Sequence, residues 1–491
     1  MSQQMSAVKS ILKLVAVTLL IAADPLARAA DTPARPNFIF FITDDVGRDD
    51  LSVYGNPAIQ TPNLEKLAAR GLVFDNAYLT ISSCSPSRCS IITGRYPHNT
   101  GAPELHTSLP PSQKTFVKRL QEAGYHTVIS GKNHMAKPDQ LGFDVSSDSH
   151  PSGAENWIKH LRERPKDRPF FCWFASHDAH HPFTKNDKAP EYRPEAVVVP
   201  PMLYDGPLTR GDLAGYYHEV SRTDYYAGEL MKELEAQGIA GNTYLIYTSD
   251  NGRPFPRCKT YLYDSGVRTP LIIAGPGVKT GRTGSLVSSI DFSATFLDLA
   301  GLPKPETVQG VSFSSVLRDP AARVRDVAFA ERNWHVFQLH ERMVRTGDWL
   351  YIWNAWPDRH NVSAESADFK FPAAKELWEM AEQGKLTPGQ ALLTQKPQPA
   401  EMLFNVKEDP HQFENLAAQS EHAGTLKRLR ALLEQWKTET GDTVPANPTA
   451  DRQPLHENSN RNVTRGDFPG AARNAPANNQ PGPVKLADPL P

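Results

Sequence analysis

From about residue 36 to about residue 303 the chain alternates two patterns. Runs that stay apolar on both faces predict strands buried in a parallel sheet: 36–45 (PNFIFFITDD), 125–132, 168–183, 242–252 and 269–277. Between them lie segments with helical spacing at 61–71, 115–124, 211–238 and 288–303, the first with Thr61 as its expected cap and Gly71 as its stop. Strands alternating with helices predict an α/β sandwich around a mainly parallel sheet. Past residue 340 the texture changes. "RMVRTGDWLYIWNAW" and "AEMLFNVKEDP" predict antiparallel strands, and "AGTLKRLRALLEQWKTETG" an amphipathic helix. The expected organisation is a leader at 1–29, an α/β domain at 30–340 and a smaller α+β domain with an antiparallel sheet at 341–443. A Pro/Asn-rich tail at 444–491 is expected either to lack order or to wrap over the body without regular structure.

The leader has Lys9 and Lys13, an apolar stretch near Leu14–Ala23, and then Ala27-Arg28-Ala29. That is the order of a secretory signal cleaved after Ala29. The apolar stretch is shorter than the roughly 20 residues of a span, so the expectation is an exported protein, periplasmic or secreted, with no membrane span. At 491 residues the chain has length for two domains, and a formal net charge of −2 gives no reason to expect a nucleic-acid partner. The four cysteines, Cys84, Cys89, Cys172 and Cys258, are too scattered for a disulfide scaffold or a paired-cysteine zinc site. Pairing among the last three stays open.

Four predicted strands end in polar residues: Asp44-Asp45, Lys132 with His134, His177 to His181, and Asp250-Asn251. Ligands of open α/β sheets bind at the carboxyl ends of strands, so one fold rule gathers these residues at one edge. Asp44, Asp45, Asp250 and Asn251 are hard oxygen donors that suit calcium or magnesium better than zinc. Arg88, Lys132, His134, His180 and Lys259 are the cationic and proton-transfer candidates. A metal among several cations and imidazoles suits a tetrahedral oxyanion. On residue type alone Cys84 could be a disulfide partner, a metal ligand, a nucleophile or a site of modification.

The run Cys84-Ser85-Pro86-Ser87-Arg88, continued by Ile91-Ile92-Thr93-Gly94-Arg95, resembles the signature of the type I sulfatases. The likeness extends to Asp44-Asp45, "GYHTVISGKNH" (124–134), "HDAHHPF" (177–183), "TSDNG" (248–252), Lys259 and "LFNVKEDPHQFENLA" (403–417). The resemblance implies an alkaline-phosphatase-like sandwich and a Cys84 oxidised to formylglycine by a formylglycine-generating enzyme. It implies one Ca2+ held by Asp44, Asp45, Asp250, Asn251 and the modified Cys84. One hydroxyl of the hydrated aldehyde would attack sulfur and displace the alcohol or amine, and the second, losing its proton, would expel sulfate and restore the aldehyde. Arg88 would fix the diol, Lys132 and His134 would hold and deprotonate it, and Asp250 would activate the attacking hydroxyl. His180 and Lys259 would bind the sulfate and protonate the leaving group. A helix starting near Ser87 would aim its N–H groups at the anion.

By positional likeness alone, His98, Asp178, His181, Glu331 and His335 are the candidate sugar contacts. Within the family the chain is most similar to the heparan N-sulfatase (sulfamidase) branch, in "SSCSPSRCSIITG" and "SDNGRPFPRCKTYLY". It departs where that branch carries Asp-Pro-His-Arg, with Asp178-Ala179-His180-His181 in its place. The implied substrate is a sulfated saccharide, N- or O-linked. The alternatives are a phosphatase or phosphonate monoester hydrolase of the same superfamily, and a catalytically dead sulfoglycan-binding protein. The filled catalytic positions and the lack of a second metal-binding Asp/His set in the sequence weigh against them.

Overall fold

The larger sheet is built from β1 (Asn37–Thr43), β2 (Leu72–Tyr78), β3 (His126–Gly131), β4 (Val145–Ser147), β5 (Phe170–Ala175), β6 (Thr243–Ser249), β7 (Leu271–Ala274) and β8 (Gly281–Ser288). These strands come from a computed structural model that describes residues 35–452, 455, 463–467 and 478–488, so the expected leader at 1–29 lies outside the described residues. Their order is β4-β3-β5-β1-β6-β7-β2-β8. The sheet is mainly parallel, as expected, with β7 antiparallel to both of its neighbours. β1 shows why a two-sided apolar run becomes a central strand. Ile39 and Phe41 enter one core, Phe38, Phe40 and Ile42 the other, and both cores are closed to solvent.

Each face is covered by helices whose apolar spacing was visible. Pro207–Ala236 lays Leu213, Tyr216, Val220, Ala227 and Leu230 on the first core, while Phe116–Glu122 and Asp291–Leu299 bring Phe116, Leu120, Phe292 and Phe296 to the second. Pro207 sits at the first turn, where its missing N–H breaks no bond, so that helix starts four residues before the predicted 211. Thr61 holds the expected cap position of Pro62–Arg70, but its hydroxyl pairs with Ser52 at 2.6 Å and makes no cap bond. β2, β4 and β8 were not predicted. Asp75 and Asn76 interrupt β2 next to a register shift against β8, and β8 opens with two exposed residues.

The second sheet has the order β12-β11-β10-β9, from β9 (Ala328–Arg332), β10 (Glu341–Arg345), β11 (Trp349–Asn354) and β12 (Glu401–Asn405). All its pairings are antiparallel. It begins at Ala328, because β9 pairs with β10 across the boundary expected at 341. The helix Ala423–Thr440 covers it with Leu426, Leu429, Leu433 and Trp436, the last stacked on Phe329 with centroids 5.2 Å apart. The Glu331 N–H donates to Thr80 O at 2.8 Å, which ties β9 to the segment that leads into Cys84.

The described pieces of the tail lie on the body without regular structure. Arg95 donates to Asn479 Oδ1 at 2.9 Å and Asn478 O at 3.0 Å, and Arg465 donates to Glu104 at 3.2 Å and Leu105 O at 3.0 Å. All four cysteines are buried and free, which settles the question of pairing among Cys89, Cys172 and Cys258.

Candidate active site

Register carries the polar strand ends to one place. Thr43 pairs with Ser249, Ile42 with Ala175, and Ala175 with Gly131, so β3, β5, β1 and β6 finish side by side. The residues that follow them are Lys132, Ser176, Asp44 and Asp250. Asp45 then adopts φ 63°, and this left-handed step lets two successive carboxylates reach one spot. Ligand atoms of Asp44, Asp45 and Cys84 all lie within 4.8 Å of one another.

Cys84 is the first residue of the helix Cys84–Thr93, three residues before the expected start near Ser87. Pro86 falls in the first turn, where a missing N–H costs no helical bond, and the first such bond runs from Ser87 N to Ser83 O at 2.8 Å. Gly94 ends the helix with φ 67°, and a Cβ there would come 2.7 Å from Ser293 Cβ.

Asp44, Asp45 and Asp250 are at most 1 % exposed. Each gives one oxygen to a cation. Lys132 Nζ donates to Asp44 Oδ2, Lys259 Nζ to Asp45 Oδ2 at 2.7 Å, and Arg88 Nε to Asp250 Oδ2 at 2.7 Å. The remaining donor atoms converge on the Asn251 amide. Its Nδ2 is 3.0 Å from Asp45 Oδ1, 2.6 Å from Asp250 Oδ1 and 3.3 Å from Cys84 Sγ. Two amide protons face three acceptors, and Asn251 Oδ1 is buried with no hydrogen-bond partner among the described residues. A set this rich in acceptors, with one oxygen orphaned, fits a hard divalent cation.

The electrostatics agree with an unfinished site. Burial pushes the Asp45 and Asp250 carboxyls up, and neighbouring carboxylates add to it. Burial also opposes ionisation of Asp44, but Lys132 and the other cations outweigh it and hold that carboxyl well below the usual range. Lys259 is buried, yet Asp45 keeps it protonated, well above the ordinary lysine value. Burial pushes the Cys84 thiol up to about 12, so at neutral pH it is no thiolate nucleophile. His134 is driven down to about 2 by burial and then by Lys132, so its ring is neutral at physiological pH. His180 stands at the exposed rim, and its Nδ1–H donates to His181 O at 2.7 Å. Beside Lys132 and His134 opens a cavity of about 570 Å³, lined also by Asn133, Ser146, Asp148 and His177.

Residues 36–157 and 151–302 match the family model of the sulfatases, more than half of the chain. The chain belongs to the sulfatase family. Its relatives include the human N-sulphoglucosamine sulphohydrolase, 29 % identical in an alignment that covers 83 % of this chain and 91 % of that protein. An ulvan-active sulfatase of Formosa agariphila is 28 % identical over 84 % of this chain and 76 % of its own. The fold is shared with an enzyme solved in complex with its substrate D-glucosamine-2-N,6-O-disulfate, at TM-score 0.64 and 22 % identity, covering 82 % of this chain and 98 % of that one. That likeness is the alkaline-phosphatase-like architecture of the sulfatases, a mostly parallel sheet with a separate antiparallel one.

In this sulfatase the expected sugar contacts separate into different places. His98 and Glu331 are fully buried and bonded to each other, Nδ1 to Oε1 at 2.5 Å. Asp178 is likewise taken, held by Arg222 at 2.9 and 2.5 Å and by Ser152 Oγ at 2.5 Å. His335 is buried and bonded through Nδ1 to Ser83 Oγ at 2.7 Å, so it supports the start of the Cys84 helix. His181 is half-buried between Phe183 and Phe371, with Nε2 3.5 Å from Asp212. Two residues with no signal in the sequence join the site instead. His106 Nδ1 lies 2.7 Å from His134 Nε2, and Glu365 Oε1 lies 3.5 Å from Lys259 Nζ. Asp148, His150 and His177 form a second set with metal-ligating atoms within 4.8 Å of one another, at least partly exposed and sharing no residue with the first.

Proposed function

We propose that the protein is a calcium-dependent sulfatase of a sulfated saccharide, with Cys84 converted to formylglycine before use and export through its leader. The reading rests most on one observation: the Asn251 amide lies among Asp45, Asp250 and Cys84 with more acceptors than protons and an orphaned Oδ1. Asp44, Asp45, Asp250 and Asn251, with residue 84, hold the ion. The aldehyde and the calcium together supply the attacking oxygen and its later release from sulfate. Arg88 offsets the local negative charge while fixing Asp250. His134 offers its unpartnered Nδ1 to the proton of the attacking group, and Lys132 holds that group. Lys259 binds the sulfate. His180 donates Nδ1–H to His181 O, which leaves Nε2 to handle the proton at the leaving atom. His181 stands where the sulfamidase branch has an arginine, so no guanidinium fork is offered to the sugar from that position.

The test is co-production with a formylglycine-generating enzyme, then sulfate release from glucosamine N-sulfate, glucosamine 6-O-sulfate and sulfated algal oligosaccharides, with Cys84→Ala as control. Release from the N-sulfate alone would make the protein a sulfamidase, and release from O-sulfates alone a glycan O-sulfatase. Phosphate release from an aryl phosphate exceeding both would favour the phosphatase reading. Asp148, His150 and His177 give that reading a second possible metal set, but one that shares no ligand with the first and so builds no two-ion clamp.

A further inference from the structure

One buried polar atom near the site has no task in the roles above. Glu365 is 4 % exposed, its Oε1 faces Lys259, and its Oε2 is shielded from solvent with no hydrogen-bond partner among the described residues. Native structures seldom leave a buried carboxylate oxygen unmatched, and where they do a ligand is a natural partner.

The backbone that carries Glu365 is pinned on both sides. It lies in the short helix Ala364–Ala367, which Ser363 and Ser366 open with a reciprocal capping box. Tyr261 OH donates to Asn361 O at 2.9 Å, Arg332 Nη2 donates to Val362 O at 3.0 Å, and Trp378 Nε1 donates to Ser366 O at 2.6 Å. A side chain supported in this way is aimed at a fixed place, as a recognition group has to be.

Charge decides what it can receive. An ionised carboxylate only accepts, so the missing partner carries an O–H or N–H. Glu365 stands beside Lys259, the group assigned above to the sulfate. Sulfuryl oxygens are anionic and would be repelled by it. The donor therefore belongs to the leaving group, next to the bond that breaks. We propose that Glu365 forms a subsite for a hydrogen-bond donor, a hydroxyl or an ammonium, on the sugar position adjacent to the sulfated one. The same charge excludes sugars that carry a second sulfate or a carboxylate at that position. This inference rests on the saccharide sulfatase reading.

Glu365→Gln and Glu365→Ala, each co-produced with the modifying enzyme, are to be compared with the unaltered chain. The substrates are a monosulfated monosaccharide that the unaltered chain turns over and its counterpart with a second sulfate on the adjacent position. Competitive inhibition by inorganic sulfate, which has no leaving group, is measured alongside. Both variants are expected to lose about 10- to 100-fold in kcat/KM on the monosulfated sugar, the size of one hydrogen bond to a charged group. Inhibition by sulfate is expected to stay within about two-fold, because Lys259 keeps its bond to Asp45. The disulfated sugar gains relative to the monosulfated one. Weaker inhibition by sulfate in step with the loss of turnover would overturn the proposal and make Glu365 a positioning residue for Lys259. So would turnover of the monosulfated sugar that neither variant changes. Failure of the saccharide reading is seen separately, as an unaltered chain with formylglycine confirmed by mass that releases no sulfate from any sugar.

Discussion

Beside the second sheet, Arg342 holds Asp442 through bonds of 2.6 and 2.8 Å, while Glu331 takes His98 Nδ1 at 2.5 Å and Asn333 Nδ2 at 2.9 Å. Arg342 also donates to Asn333 Oδ1 at 3.0 Å. At the edge of the first sheet, Asp44, Asp45, Asp250, Arg88, Lys132 and Lys259 are paired as closely. The two clusters are alike in burial and charge. They differ in what is left over. Among the described residues no polar side-chain atom of Arg342, Asp442, Glu331, His98 or Asn333 is buried without a partner, whereas Asn251 Oδ1, His134 Nδ1, Arg88 Nη2 and Glu365 Oε2 all are. A finished network is a fastening, and an unfinished one is a place for something else.

Substitutions can break this contrast, and the largest effect belongs to the unfinished cluster. Cys84→Ala is expected to lower kcat by about 10⁴- to 10⁶-fold, the range seen when a nucleophile or its base is removed, with little change in Tm. Asp442→Ala should do the opposite. It strands Arg342 as a buried unpaired charge and should cost about 3–5 kcal/mol in denaturant unfolding, while turnover per folded molecule is retained. Calcium sharpens the difference from the other side. At about a hundred times its Kd it should add about 2.7 kcal/mol of stability, read as a rise in Tm that Asp45→Ala abolishes and Asp442→Ala keeps.

The smallest effect is a slope of stability with pH. Burial opposes the charge on His98, but Glu331 and Asp442 outweigh it and raise its pKa above 6.5, so its contribution is complete below that value and fades as pH rises through the folded pKa. Asp442 is also opposed by burial, but Arg342 dominates and depresses its carboxyl, so its contribution is present above the ordinary carboxylate range and is lost in acid. His98→Gln should remove the alkaline slope and leave the acid one, which unfolding measured between about pH 4 and 9 would resolve.

The central strands were legible because burial on both faces leaves no polar positions to confuse their reading, as in β1. The meeting of Asp44, Lys132 and Asp250 followed from one rule about strand ends and needed no contact information. Sugar contacts were a different problem. Likeness of position told where His98 and Glu331 stand along the chain, but not that they face each other from 233 residues apart. Glu365 had no pattern around it. A four-residue helix from the C-terminal part of the chain brings it to Lys259, and only packing through Tyr261, Arg332 and Trp378 decides that. β2 escaped because the polar pair at its bulge hides the strand period.

The burial of Cys84 also sets a schedule. Only 2 % of the residue is exposed; Asn251 Nδ2 lies 3.3 Å from its Sγ and Glu331 of the second sheet bridges to nearby Ile81, and both are made later by the ribosome. On the proposed reading, an enzyme that oxidises this thiol would have to reach it before the chain folds. The roughly 400 residues after Cys84 take about 20–80 s to synthesise at about 5–20 residues per second, and the chance closes once those residues fold. The Asn478–Pro481 segment, bonded to Arg95 and Tyr96 just past the Cys84 helix, is made later still. For this chain, slower synthesis would mean a larger fraction made active.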